Sequence, residues 1–93
     1  MFTTCSFAGQ KEDPCLWAST IAEGVMKARQ NDAPMVKAIA ISNDANAPEE
    51  VKEVMRLMVI EAYESPGFSL ESNKQKAVAR FQNEWYLRCV KAD

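Results

Sequence analysis

The chain has 93 residues, 47% of them hydrophobic and 26% charged, a balance that fits one globular domain and argues against disorder. A formal net charge of −2 supplies no uniform basic field to draw the molecule to nucleic acid or anionic lipid. The absence of histidine removes the commonest general base and the commonest zinc ligand, and no apolar run approaches the roughly 20 residues of a membrane span.

Residues 1–12 read as a tail. Within them Ser6-Phe7-Ala8 before Gly9-Gln10 has the small-x-small form of a signal-peptidase site, although no basic n-region precedes it. One expectation is therefore that Met1 to Ala8 is the remnant of an export signal. The other is an ordinary N-terminus. Asp13-Pro14 is a helix start, with Asp at the N-cap and Pro at the first helical position. From there Trp17, Ile21, Val25 and Ala28 share one face, opposite Thr20, Glu23, Lys27 and Gln30. Gly24 borders the apolar stripe, where a missing side chain permits close helix approach. Asn31-Asp32-Ala33-Pro34 ends this helix.

Pro34 to about Ser42 suits a two-turn helix, and Ala38 to Ile41 would also fit a brief strand for which no partner strand is visible. After a turn-rich loop, Asn46 is expected to cap a third helix with Pro48, Glu49 and Glu50 in its first turn, where acids meet the positive end of the helix dipole. Val51, Val54, Met55, Met58 and Ala62 share one face of it, with Leu57 and Ile60 nearly opposite. Such a helix is either the most enclosed of the domain or presents a patch to a partner, and enclosure is the simpler reading. Pro66 stops the helix, and Gly67 can supply a positive φ. Ser69, or Ser72 with Gln75, caps a last helix that runs nearly to the end of the chain. On it Val78, Phe81, Trp85 and Cys89 fall at steps of three, four and four, the richest burial stripe in the sequence. The expected core is thus Trp17, Ile21, Val25, Val51, Met55, Met58, Val78, Phe81 and Trp85. The fold expected is all-α, a compact bundle of about four helices with short loops.

Chemistry is harder to find. Asp44 to Glu64 carries six acids against two bases, and Glu71 to Asp93 carries five bases against three acids. Neighbouring segments of opposite charge attract weakly, and Glu49, Glu50, Glu53 and Glu61 read as a solvated helix face rather than as acid–base catalysts. Trp17, Phe81 and Trp85 could form a stacking platform, but aromatics at helical spacing read first as core. Tyr63, Phe68 and Tyr86 flank the stripes. Cys15 and Cys89 open the first helix and close the last. They either form a disulfide, if those helix ends meet, or stand as two buried reduced thiols. A zinc site on Cys5, Cys15 and Cys89 would need an acid as its fourth ligand, and a thiol nucleophile would lack its usual imidazole.

Three segments carry a resemblance: Met26-Lys27-Ala28-Arg29-Gln30 with Pro34-Met35; Val59-Ile60-Glu61-Ala62-Tyr63-Glu64-Ser65-Pro66; and Phe81 with Trp85-Tyr86-Leu87-Arg88-Cys89. From about Cys15 to Val90 the chain resembles a group of small exported helical proteins encoded by Gram-negative bacteria and their phages. The resemblance implies a helical domain with a Cys15–Cys89 bridge and a periplasmic or secreted location, and it implies no activity. The expectation is a non-enzymatic binding or structural module with no catalytic, cofactor or metal residues and a protein partner. The alternative is a cytosolic phage-type inhibitor or adaptor of a larger protein or nucleic-acid machine.

Overall fold

The structure, a computed structural model, describes residues 13–92; residues 1–12, on which the expected tail and export-signal remnant and Cys5 fall, and Asp93 lie outside the described residues. Those described residues form four helices and no strand: α1 (Pro14–Gln30), α2 (Met35–Asp44), α3 (Glu49–Glu64) and α4 (Glu71–Ala92). The expected all-α bundle is the fold observed.

Local chemistry accounts for most helix ends. The Asp13 carboxylate accepts the Cys15 N–H at 2.9 Å and the Leu16 N–H at 3.4 Å, which satisfies donors that the first turn of α1 leaves free. At its far end Asp32 takes φ 62°, and the Asp32 and Ala33 N–H groups bond back to the Arg29 and Ala28 carbonyls. That is a Schellman closure with Asp in the left-handed position that Gly usually fills. α2 is a helix, not a strand, and it runs to Asp44. α3 is not capped by Asn46. The carbonyl of Pro48 receives the Val51 and Lys52 N–H groups, so Pro48 is the entry residue, and Glu49 and Glu50 make up the acidic first turn. Ser65 ends α3 in an extended conformation, as a residue before proline must. Gly67 does not use a positive φ. α4 opens on Glu71, with the Leu70 carbonyl, rather than Ser69, at the entry position.

α1 is the central helix. It packs most extensively on α4 and less on α3, whereas α2 packs on α3 and barely touches α1. α3 and α4 scarcely meet directly. Helix α4 runs antiparallel to α1, since Cys15 in the first turn of α1 is joined to Cys89 in the last turns of α4. The core is Ala22, Met26, Met58, Ala62, Phe81 and Trp85, with Ile21, Val25 and Val78 packed at its edge. Phe81 and Trp85 meet edge to face, with centroids 6.4 Å apart.

Two expectations about burial are corrected. Trp17 is not core: it is 45% exposed. The face of α1 that is buried carries Cys15, Ser19, Ala22, Met26 and Gln30, about one residue position round from the Trp17-Ile21-Val25 stripe. The reason is volume. The large aromatics come from α4, so the facing helix must offer small side chains such as Ser19 and Ala22, which turns Trp17 outward. Nor is α3 the enclosed helix. Met58, Val59 and Ala62 are buried, Val51 and Met55 are half-buried, and Val54, Leu57 and Ile60 are exposed. α3 has α1 and α2 as neighbours but almost nothing on its third side. Gly24 is not a close-approach point either, because a Cβ built there meets nothing within 4 Å.

Candidate binding surface

Trp17 stands between two apolar hollows. The first lies at the disulfide end, where the starts of α1 and α3 meet the end of α4. Pro14, Trp17, Ala18, Val51, Val54, Trp85 and Cys89 line it, with Glu50 and Arg88 as its charged members, and its volume is about 380 Å³. The Cys15–Cys89 bridge fixes this end, with a Cα–Cα distance of 5.5 Å. The guanidinium of Arg88 lies 4.1 Å from the centroid of the Trp85 ring and meets the Glu61 carboxylate at 3.3 Å, so one cation serves a ring and an acid. This pair is where the oppositely charged segments of α3 and α4 touch.

The second hollow, about 340 Å³, lies where α2 draws away from α1. Its walls are Trp17, Ile21, Val25 and Ala28 of α1 and Ala38, Ile41 and Ser42 of α2, and its floor is Met55 and Val59 of α3. Gly24 opens into it rather than onto a helix. None of its eleven lining residues is charged, and the hydroxyls of Thr20 and Ser42 already donate to the Leu16 and Ala38 carbonyls, so the groove offers mainly dispersion and apolar burial to whatever enters. Ile41 is 68% exposed on its rim.

The opposite end of the bundle is a polar latch. Gln30, only 2% exposed, donates from Nε2 to the Pro66 carbonyl at 3.0 Å and accepts the Phe68 N–H on Oε1 at 2.9 Å. Arg29 donates from Nε to the Ser65 carbonyl at 3.0 Å, and its guanidinium sits 5.4 Å from the Tyr63 ring centroid. Tyr63 donates to the Ala33 carbonyl at 2.6 Å. Burial raises the Tyr63 phenol above its ordinary pKa, against the lowering effect of the nearby Arg29 and with a further push from Asp32. These bonds hold the α3–α4 turn against the end of α1. The helical periodicity puts Gln30 on the face opposite the apolar stripe, and an apolar stripe carries no mark of a buried amide. The signal present was the polar cluster at Ser65-Pro66-Gly67, whose backbone groups needed partners from somewhere.

The residues expected as core thus divide. Met58, Phe81 and Trp85 are buried together, while Val51, Trp17 and Trp85 also meet at the first hollow and Trp17, Ile21, Val25 and Met55 at the second. Phe68 lines a separate cleft with Met26, Pro66 and Phe81, and Tyr86 is exposed on α4. Among the described residues no group of three His, Cys, Asp or Glu side chains converges to hold a metal ion, and no helix is long and apolar enough to cross a membrane. Comparison with protein-family models, with curated proteins and with solved structures returned no match.

Proposed function

We propose that the chain is a non-enzymatic binding module of an oxidising compartment, the periplasm or the cell exterior, that receives an amphipathic helix of a protein partner in the groove between α1 and α2. The observation that carries this reading is the uncharged groove walled by Trp17, Val25 and Ile41 and floored by Met55, a slot between two helices that barely touch. A helix laid in such a slot buries its apolar stripe on three sides, the recognition mode in which residues at i, i+3, i+4 and i+7 act as anchors. The Cys15–Cys89 pair at bonding distance supports the compartment, because disulfides persist where thiols are not kept reduced. The resemblance to small exported helical proteins points the same way.

The test is site-specific photocrosslinking in extract of the native source. A photoreactive residue replaces Ile41 in one variant, Trp17 in a second, and the exposed Asn83 of α4 in a third. One discrete adduct at positions 41 and 17, absent at 83, is expected. Equal labelling at 83, or none at 41, would overturn the groove reading. Peptide mapping of native material without reduction tests the compartment: reduced Cys15 and Cys89 would move the protein to the cytosolic inhibitor alternative.

A further inference from the structure

α3 carries a second face that the bundle does not cover. Glu50, Glu53, Val54, Leu57, Ile60 and Glu64 recur on it at helical spacing, and all of them are exposed. Acids stand at both ends of this face and apolar side chains at its middle. The cations of α3 lie elsewhere: Lys52 is half-buried across the helix, and Arg56 turns to Asn43 of α2 and to Glu49. The outer face of α4 has the opposite charge. Lys76, Arg80, Leu87, Val90 and Lys91 share it and are exposed, with Glu84 at its edge. Among the described residues the ion pairs are Lys27–Glu23, Arg56–Glu49 and Arg88–Glu61, so neither face has used these charges. Within one molecule the two faces do not meet, because α3 and α4 scarcely touch and both faces look outward.

The faces match in register as well as in sign. With α4 laid antiparallel on α3 and Leu87 opposite Leu57, Val90 falls opposite Val54, Lys91 opposite Glu53 and Arg80 opposite Glu64. Glu84, the one mismatch, falls opposite Ile60 at the margin. We propose that these are the two halves of a self-association surface: the α3 face of one copy binds the α4 face of a second copy of this chain. Leu57 and Leu87 sit at its centre, and the Glu53–Lys91 and Glu64–Arg80 pairs close its ends. The occupant is chosen by charge. α3 on α3 would set acids against acids, and α4 on α4 bases against bases, whereas α3 on α4 joins opposite signs around an apolar centre. One helix on one helix buries less than the roughly 1,200 Å² at which stable complexes begin, so the association is weak and reversible. It goes beyond the helix-docking groove and uses none of that groove's exposed walls.

Sedimentation of the purified, oxidised protein tests it. In about 20 mM salt the weight-average mass of the wild type should rise between about 10 μM and about 1 mM protein, and the rise should shrink in about 500 mM salt, where exposed charges are screened. Glu53→Lys with Glu64→Lys turns the α3 face basic, and Arg80→Glu with Lys91→Glu turns the α4 face acidic. Each double variant alone should associate about tenfold more weakly than the wild type. Mixed in equal amounts the two should regain wild-type association, because every face then meets its opposite sign. All four positions are exposed, so circular dichroism and the urea midpoint should show both variants folded. Ile41→Glu, in the other groove, should leave the association unchanged. A wild type that stays monomeric at about 1 mM, association indifferent to salt, a double variant that associates as strongly as the wild type, a mixture no stronger than its components, or loss of association in Ile41→Glu would each overturn the proposal. The contact is dissociated at the low concentrations of the crosslinking experiment, so Asn83 remains its control and the two readings fail separately.

Discussion

Reducing the Cys15–Cys89 bridge should remove a large share of this domain's stability. The two cysteines are 74 residues apart in sequence, so the bond closes nearly the whole described chain into one loop. In the chain-entropy treatment a loop of that length is worth about 4.5 kcal/mol at 25 °C. A domain of this size has in total on the order of 4–12 kcal/mol. Urea unfolding of the oxidised wild type, followed by the fluorescence of the buried Trp85, should therefore give a free energy about 3–5 kcal/mol above that of the same protein in reductant. Cys15→Ala with Cys89→Ala should lose slightly more than reductant alone, because Cys15 is buried and its sulfur also packs. Cys5→Ser should change nothing under oxidising conditions. A loss below about 1 kcal/mol on reduction would refute the reasoning, for it would mean that the reduced unfolded chain already keeps its ends close or that the bridge strains the folded state, so that closing the loop removes little net entropy.

Four further outcomes are expected. Gln30→Leu keeps the volume but strands the Pro66 carbonyl and the Phe68 N–H, and should cost about 2–3 kcal/mol, with faster hydrogen exchange at Phe68 than in the wild type. Trp85→Ala should cost about 3–5 kcal/mol in urea unfolding, as aromatic truncations in cores do, and a loss under about 0.5 kcal/mol would place that ring outside the core. Gly24→Ala should stabilise by about 0.5–1 kcal/mol, since α1 gains a better helix former and the new Cβ meets nothing; a drop in melting temperature would show packing at that position. Stability should fall as pH rises from about 10 through the raised pKa of Tyr63, because the folded state holds the phenol proton over that window more tightly than the unfolded chain does; Tyr63→Phe should flatten that alkaline slope.

Helix number and order were legible because most boundaries have a local chemical cause. Asp13-Pro14, Asn31-Asp32 and Ser65-Pro66 act within a turn of themselves, and single-chain patterns report such causes well. The α4 stripe was legible for a second reason: Phe81 and Trp85 are too large to leave outside a core this small. Which face of α1 turns inward was not legible. The apolar-moment argument favours Trp17-Ile21-Val25, but the partner helix supplies the bulk, so Ser19 and Ala22 win the interface. Asn46 failed as a cap because Pro48, with its fixed φ, already sets the chain for helix entry. The latch was invisible for a different reason. Gln30 pairs with the backbone of Pro66 and Phe68, at a separation of 36 and 38 residues, and no periodicity encodes such a partner.

The exposed apolar surface and the covalent staple belong to one design. Burying a large aliphatic or aromatic side chain is worth about 1.5–3 kcal/mol, and this chain forgoes much of that at Trp17, Ile41 and Val54, all exposed at the two hollows. The forfeit arises from topology: α2 leans on α3 instead of α1, and α3 and α4 do not close on each other, so two grooves stay open. A small domain cannot recover several kcal/mol by enlarging its core, since it has too few residues inside. A bridge between the first turn of α1 and the last turns of α4 can recover it by acting on the unfolded chain, without covering any surface. The latch at Gln30 does the same service at the other end, where polar bonds to backbone replace apolar burial. Stability is thus placed at the two ends of the bundle, and the apolar side chains between them are left free to meet something else.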